Sequence, residues 1–313
     1  MDSWRLATID VGTNTVLLLV VEVDERGHYK VLEDRAEITR LGEGLQQTGI
    51  IGPAGKQRTL QALRAYRERC DYWQVREIKI AGTSALREAS NAIEFSEPLK
   101  QDLGLDLRVL SAREEAWYSY LSVQKGLKGL APECLVVDIG GGSTEFIWGK
   151  NGGLHRWKSY PMGTVKLTER YLQSDPARDE ECRLLVDAID RDLSEQLADW
   201  GPETDFRVMV GIAGTFTTLS AVEKSLVPYR PEAVHGSDLE RKEVKRQIDL
   251  YRSKTLIERK QIPGLEPKRA DVILAGALLI DRIMEYFRLN LAIVSDQGIR
   301  YGLLFERLAS SQS

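Results

Sequence analysis

The chain has 313 residues, of which 42% are hydrophobic and 29% are charged, and its formal net charge is −4. This length and this balance are those of a soluble globular protein with room for two ordinary domains. The slightly negative charge excludes a general attraction to nucleic acid or to anionic lipid, so a polyanionic ligand has to be held by local positive charge.

The cysteines and the N-terminus indicate the compartment. Cys70, Cys134 and Cys182 are odd in number and far apart, which argues against a disulfide framework or a zinc site and for a reducing environment. The apolar run at residues 16–21 is much too short to span a membrane, and residues 1–10 lack the basic and apolar regions of a signal peptide. We therefore expect a cytoplasmic protein with neither a membrane nor a nucleic-acid partner.

Strand-like and helix-like segments alternate along the first part of the chain. Residues 6–23, LATIDVGTNTVLLLVVEV, predict a strand, a tight polar turn and a second strand. Residues 55–75 have apolar side chains at helical spacing, and residues 76–95 and 106–127 each predict a strand followed by a helix. Such alternation is typical of an α/β architecture.

The pattern then begins again after KGLKGLAPE. Residues 134–149, CLVVDIGGGSTEFIWG, predict a strand, a turn and a strand, as at the N-terminus. DVGTNT (residues 10–15) aligns with DIGGGST (residues 138–144) if the second copy contains one additional glycine. A repeat about 128 residues apart is far too long for a solenoid and indicates two related domains that face each other, with a boundary near residues 124–132.

Both turns have the composition of a phosphate-binding loop. Successive backbone N–H groups in a glycine-rich turn form a concave anion site, and glycine lets phosphate oxygens approach the backbone. Ser143 and Thr144 add hydroxyl donors, while Asp138 and Glu145 offer the hard oxygen ligands that Mg²⁺ takes together with substrate phosphates. The alternative is a glycine-rich β-hairpin with a solvent-facing aspartate, and the presence of two copies favours phosphate binding.

The sequence resembles a known family in seven motifs that occur in the family's order and together extend over essentially the whole chain. The family is that of the exopolyphosphatases and guanosine pentaphosphate phosphohydrolases (Ppx/GppA), and the chain resembles its short form, without the additional C-terminal helical region of longer members. The motifs are DVGTNT (10–15), TSALREASN (83–91), SAREEA (111–116), DIGGGSTEF (138–146), GIAGTFTTLSA (211–221), RADVILAGALLI (269–280) and SDQGIRYGLL (295–304).

The resemblance implies two RNase-H-like domains of the actin and sugar-kinase superfamily with the active cleft between them. We assign residues 1–125 to the first domain and 126–299 to the second, and expect a helix at about 300–313 to pack on the first. The implied activity is Mg²⁺-dependent removal of the terminal phosphate from inorganic polyphosphate or guanosine pentaphosphate (pppGpp). The resemblance leaves open the preferred substrate, replacement of Mg²⁺ by another divalent ion, assistance by K⁺, and formation of a homodimer.

Two adjacent acidic residues have different expected functions. Ser111 and Glu114 fit the S-x-x-E capping box at a helix start, so Glu114 has a structural explanation. The resemblance implies that Glu115 is the catalytic glutamate, acting as general base for the attacking water. The alternative for Glu115 is a second acid favoured by the helix dipole.

Three arginines are candidate phosphate ligands. Arg87 lies about one turn into a predicted helix that Thr83 or Ser84 could cap, and its planar guanidinium suits two-pronged binding of a phosphate. The alternative is a surface ion pair with a nearby acid, and the resemblance favours substrate binding. Arg40 and Arg269 also match family positions that face the cleft.

The predicted site therefore has three groups of residues. They are Glu115 and Arg87 for catalysis; Gly12, Thr13, Asn14, Gly140, Gly141, Gly142, Ser143, Thr144, Arg40 and Arg269 for substrate phosphate; and Asp10, Asp138 and Glu145 for the metal.

Two other functions remain open. A kinase of the same superfamily would need a pocket and a base for an acceptor, and the sequence shows no motif for either. A sensor that binds polyphosphate or pppGpp without catalysis is disfavoured by the presence of Glu115 together with Asp138 and Glu145.

Overall fold

The structure, a computed structural model, describes residues 3–200, 206 and 208–310. Contacts divide the chain into two units. Unit 1 comprises the described residues of Met1–Lys125 and Gly298–Ser313, and unit 2 those of Gly126–Gln297. None of the helices in this described part of the chain combines the length and the apolar character that a bilayer span requires.

The sheet of unit 1 has the strand order β3-β2-β1-β4-β5. Its antiparallel part joins β1 to β2 and β2 to β3, and its parallel part joins β1 to β4 and β4 to β5. This is the order expected of an RNase-H-like domain. The strands are β1 (Trp4–Val11), β2 (Thr15–Val23), β3 (Tyr29–Ile38), β4 (Glu77–Gly82) and β5 (Arg108–Val109).

Helices cover the sheet of unit 1. The described helices are α1 (Leu45–Thr48), α2 (Pro53–Tyr72), α3 (Ser84–Glu88), α4 (Ala92–Leu103), α5 (Ala112–Gly126), which ends at the first residue of unit 2, and α13 (Ile299–Ala309). Helix α2 begins with a proline at its first turn, where the missing N–H has no intrahelical acceptor anyway. The helical spacing in its sequence is confirmed, because Leu63, Tyr66 and Cys70 are all buried against the sheet.

The C-terminal helix α13 packs on the sheet of unit 1. Tyr301 and Leu304 form an apolar cluster with Leu6 and Leu19 of the first two strands. The Thr8 hydroxyl donates to the Arg300 carbonyl over 2.8 Å. Helix α13 therefore contributes to the apolar core of unit 1 together with the first two strands.

Unit 2 has a six-stranded sheet in the order β10-β11-β9-β6-β7-β8. Read from β8 to β11, this is the strand order and direction of unit 1, with β10 added antiparallel at the edge. The strands are β6 (Glu133–Ile139), β7 (Thr144–Lys150), β8 (Gly153–Tyr160), β9 (Met209–Ile212), β10 (Ser237–Glu240) and β11 (Leu291–Val294).

A second apolar core lies between this sheet and its helices. It includes Phe146 and Phe216, with Leu279 from helix α12, in which most side chains are buried. The described helices of unit 2 are α6 (Thr164–Tyr171), α7 (Asp179–Gln196), α8 (Ala213–Glu223), α9 (Pro231–Val234), α10 (Arg241–Arg252), α11 (Leu256–Arg259) and α12 (Ile273–Tyr286).

Candidate active site

Each unit has a polar loop between its first two strands, and the two loops have the same length. Strand pairing resumes at Val16 opposite Val11 in unit 1 and at Thr144 opposite Ile139 in unit 2. Loop 1 is thus residues 12–15, and loop 2 is residues 140–143. The predicted additional glycine in the second copy is wrong, because Asn14 of loop 1 occupies the position of the third glycine in loop 2.

The two loops also close in the same way. The N–H of Gly12 donates to the Thr15 carbonyl over 3.0 Å, and the N–H of Gly140 donates to the Ser143 carbonyl over 3.0 Å. The side chains differ, since loop 1 presents Thr13 and Asn14 where loop 2 presents only glycine. Loop 2 is therefore the one in which a ligand can approach the backbone most closely.

The carbonyls of loop 2 face the start of α6. Thr164 N–H donates to the Gly140 carbonyl and Val165 N–H to the Gly141 carbonyl, each over 3.0 Å. In a planar trans peptide the carbonyl and the next N–H point in opposite directions. The N–H groups of Gly141 and Gly142 therefore point away from α6, side by side, as an anion site requires.

Loop 1 is supported by the segment that follows β3. The Thr13 carbonyl accepts from Gly42 N–H over 2.9 Å, and the Asn14 carbonyl accepts from the N–H groups of Thr39 and Arg40. Arg40 has φ of 52°, which is uncommon for a residue with a side chain and occurs mainly where the surroundings enforce it. The backbone of Arg40 thus supports loop 1, while phosphate binding by its side chain stays a prediction.

Asp138 and Glu145 lie directly opposite each other across the β6–β7 pair. Both are buried, Glu145 being only 1% exposed, and the Ser159 hydroxyl on β8 donates to Glu145 Oε1 over 2.7 Å. Side chains in such a pair have Cβ atoms about 4.5–5.5 Å apart, and two like charges there destabilise the sheet. In unit 1 the residue opposite Asp10 is Leu17, so this pair of carboxylates belongs to unit 2 alone.

The Asp138–Glu145 pair has the donor set that Mg²⁺ uses. In the part of the chain that the structure describes, no three His, Cys, Asp or Glu side chains form a complete metal-ligand group. Mg²⁺ does not need one, because it commonly binds through one or two carboxylates together with substrate phosphates and water. The two facing carboxylates next to loop 2 therefore fit such an ion.

Glu115 and Arg87 are brought together in unit 1. Glu115 lies in the first turn of α5 and is 5% exposed, and Arg87 lies on α3. Arg87 Nη1 donates to Glu115 Oε2 over 2.8 Å and to the Leu110 carbonyl over 3.0 Å. Arg87 thus forms an ion pair, as its alternative interpretation expects, but the partner is the buried Glu115 and not a surface acid. Phosphate binding by Arg87 stays a prediction.

Two local expectations about these helices have different outcomes. The capping box is confirmed, because Ser111 N–H and Oγ donate to Glu114 Oε2 over 2.8 and 2.7 Å. These hydrogen bonds, the backbone one first, lower the pKa of Glu114. Thr83 is the N-cap residue of α3, but the expected side-chain cap is wrong, since the Thr83 hydroxyl accepts no N–H group of the helix and the Ser84 hydroxyl donates to Glu88.

Arg269 lies in unit 2 beside the start of α8. A Cβ added to Gly214 would lie 1.9 Å from Arg269 Nη1, so the guanidinium packs directly against the helix backbone. Burial lowers the pKa of Arg269, and the nearby Tyr229 and Asp296 act in the opposite direction. Phosphate binding by Arg269 stays a prediction.

The structure thus groups the predicted residues into two sets. Unit 1 holds Asp10, loop 1, Arg40 and the Arg87–Glu115 pair, and unit 2 holds Asp138, Glu145, loop 2 and Arg269.

Ser159 and Gly163 contact the candidate site residues, although the sequence does not predict this. Ser159 becomes a partner of Glu145 only through the register of β7 and β8, and Gly163 contacts loop 2 only through the fold. Thr144 was predicted as a hydroxyl donor to phosphate, but its hydroxyl donates to the Met162 carbonyl.

Two units built on one strand order, each with a closed polar loop after its first strand, define a duplicated α/β protein of the RNase-H-like class. A model of the Ppx/GppA phosphatase family matches residues 19–311 of the chain. The chain is 32% identical over 314 residues to exopolyphosphatase 2 of Mycobacterium tuberculosis, covering 96% of this chain and 97% of that protein. The chain belongs to the Ppx/GppA phosphatase family.

Another relative is longer. The chain is 30% identical over 309 residues to the bifunctional 3-dehydroquinate synthase/phosphatase of Fusobacterium nucleatum subsp. nucleatum, and it spans 46% of that protein's length. Solved structures of similar proteins include a Ppx/GppA family member from Aquifex aeolicus, at 34% identity and a TM-score of 0.83 over the whole of both chains. An exopolyphosphatase from Cytophaga hutchinsonii is 26% identical, with a TM-score of 0.89 over 98% of each chain.

Proposed function

We propose that the protein is a phosphoanhydride hydrolase that releases terminal phosphate from inorganic polyphosphate, from pppGpp, or from both. The observation that supports this most directly is the Arg87–Glu115 pair. A carboxylate that is 5% exposed and fixed by a guanidinium at 2.8 Å has one defined orientation, as a general base needs. The names of the relatives in Mycobacterium tuberculosis and Cytophaga hutchinsonii support polyphosphate as a substrate.

The proposed reaction is an attack of water on the terminal phosphorus. Glu115 accepts a proton from the water, the water oxygen forms a bond to phosphorus, and the bridging P–O bond breaks. The products are inorganic phosphate and a chain shorter by one phosphoryl group. Arg87 fixes the orientation of Glu115, and positioning is the main contribution that a protein makes to phosphoryl transfer.

Phosphate binding is proposed for both loops. In loop 2 the N–H groups of Gly141 and Gly142 point to the same side, and Ser143 is the next residue in the chain. In loop 1 the N–H of Asn14 points away from the supporting Gly42, by the same peptide geometry. Bound Mg²⁺, held by Asp138 and Glu145 of unit 2, would neutralise charge on the phosphoryl oxygens.

The test measures phosphate release from polyphosphate and from pppGpp, with and without Mg²⁺, by the wild type and by Glu115→Gln. We expect release by the wild type, a requirement for the divalent ion, and loss of most turnover in the variant with nearly unchanged substrate affinity. Binding of either substrate without any release would support the sensor instead. Release that depends on an added sugar or organic acid would support the kinase.

A further inference from the structure

The strand β8 is followed by a short segment that contacts loop 2 closely. This supporting segment, residues 162–165 (MGTV), consists of Met162, the N-cap residue Gly163 and the first two residues of α6. All four residues are buried. The segment was not part of the predicted site, and its sequence contains no group that performs chemistry.

Gly163 is the point of closest approach between the supporting segment and loop 2. A Cβ added at Gly163 would lie 2.2 Å from the Gly141 carbonyl oxygen and 2.4 Å from the Gly142 carbonyl carbon. Real Cβ atoms do not approach backbone atoms this closely, and a backbone neighbour cannot rotate away as a flexible side chain can. Any side chain at Gly163 therefore has to displace loop 2 or the start of α6 by most of an ångström.

Hydrogen bonds in both directions join the supporting segment to loop 2 and its neighbour Thr144. Thr164 and Val165 donate their N–H groups to the Gly140 and Gly141 carbonyls, each over 3.0 Å. The Thr144 hydroxyl donates to the Met162 carbonyl in the opposite direction. N–H groups in the first turn of α6, which have no acceptor within the helix, thus donate to the carbonyls of loop 2. These hydrogen bonds fix the peptide planes of the loop and therefore the direction of its N–H groups.

Unit 1 has a corresponding contact. A Cβ on Gly42 would lie 2.3 Å from Thr13 Cγ2, and the N–H of Gly42 donates to the Thr13 carbonyl. A glycine from a distant segment thus supports each loop from the carbonyl side. At Gly42 the nearest atom belongs to a side chain, whereas at Gly163 it is backbone, so a side chain at position 163 would disturb its loop more than one at position 42 would.

We propose that Gly163 is a positioning residue for substrate phosphate: by lacking a side chain it lets the supporting segment hold the N–H groups of Gly141 and Gly142 in their binding orientation. This inference rests on the proposed function of loop 2. Because a misplacement of about 1 Å can cost about 100-fold in rate, kcat/KM for polyphosphate falls by about 10- to 100-fold in Gly163→Ala. The loss lies mainly in KM, since the loop binds phosphate in the ground state as well.

The experiment compares Gly163→Ala with wild type in steady-state phosphate release from medium-chain polyphosphate. Binding of the same polyphosphate is measured by calorimetry in the Glu115→Gln background, where turnover does not interfere. The matched control is Gly153→Ala in the same unit, where an added Cβ meets nothing closer than the Lys150 carbonyl at 3.7 Å. The control has wild-type KM and affinity.

If Gly163 served only the stability of unit 2, Gly163→Ala would have a lower melting temperature, with KM and the dissociation constant for polyphosphate unchanged. That result, in a Gly163→Ala protein that is folded by circular dichroism, overturns the inference. If Gly163→Ala does not fold, Thr164→Val is used in its place. Thr164→Val removes the hydroxyl that lies 3.5 Å from the Gly140 carbonyl, with little change in side-chain volume. We expect KM to rise a few-fold in this variant. An unchanged KM in Thr164→Val then overturns the inference. A wild type that neither binds nor cleaves polyphosphate or pppGpp refutes the proposed function itself.

Discussion

The substitution Glu115→Gln separates the catalytic function of Glu115 from its contribution to stability, because it removes the base and keeps most of the structural contacts. Glutamine has the shape of glutamate, and its amide oxygen can still accept from Arg87 Nη1, which is 2.8 Å from Glu115 Oε2. A hydrogen bond between two charged groups becomes a hydrogen bond to one, so the free energy of unfolding falls by only about 1 kcal/mol. In a domain of this size that corresponds to roughly 2–4 °C in Tm.

The effect on turnover is much larger. General base catalysis contributes about 10²- to 10⁴-fold, and removing it raises the activation barrier by about 3–5 kcal/mol. The assay follows phosphate released from polyphosphate under saturating conditions, with thermal melts of the same samples by circular dichroism. Glu114→Gln is the matched control, since it makes the same change one residue earlier, at a capping position where glutamine also serves.

Two results would refute this reasoning. If Glu115→Gln retains wild-type kcat, Glu115 is only an acid favoured by the dipole of α5. If Glu115→Gln and Glu114→Gln lose activity to the same extent, the loss follows helix stability and not proton transfer.

Three further predictions concern other parts of the two units. Glu114→Ala lowers the free energy of unfolding by about 1 kcal/mol at pH 7 in denaturant titrations, with kcat unchanged. Hydrogen bonds from Ser111 lower the pKa of Glu114. The difference in unfolding free energy between wild type and Glu114→Ala therefore has its full size above the ordinary carboxylate pKa of about 4.3, and it disappears as the pH falls through the pKa of Glu114 in the folded protein. A constant difference down to pH 2 would contradict this prediction. Ser159→Ala removes the 2.7 Å hydrogen bond to Glu145 and raises the Mg²⁺ concentration for half-maximal activity by about 10-fold, and an unchanged metal requirement would contradict the proposed ligand. Burial raises the pKa of Cys70 to about 12, so a thiol reagent at pH 8 labels it only after unfolding, and rapid labelling of the native protein would contradict its burial.

The fold was largely predictable because its signals can be read directly from the order of residue types along the chain. The hydrophobic spacing of α2, the polar turns after two buried strands, and the repeat about 128 residues apart are all visible in the sequence. They predict two related domains, and the structure has two units with one shared strand order. The predicted additional glycine failed for a physical reason, since matching residue types aligned Thr15 with Thr144, whereas strand register aligns Thr15 with Ser143.

The site was less predictable because its support comes from residues that are close only in three dimensions. The Ser111–Glu114 cap was visible from a spacing of three residues, but the bond between Arg87 and Glu115 joins residues 28 apart. Gly163 looks like an ordinary turn glycine in the sequence. Its close contact with loop 2 depends on distances between backbone atoms, and the residue type alone does not predict these distances.

The most direct test of the central claim is the origin of the oxygen in the released phosphate. Wild-type protein is incubated with polyphosphate and Mg²⁺ in water enriched in ¹⁸O, and the phosphate is analysed by mass spectrometry. Attack of water on the terminal phosphorus places one ¹⁸O in each phosphate released, and Glu115→Gln slows its appearance by at least about 100-fold. Absence of released phosphate, or phosphate that appears only on an added acceptor, would contradict the account.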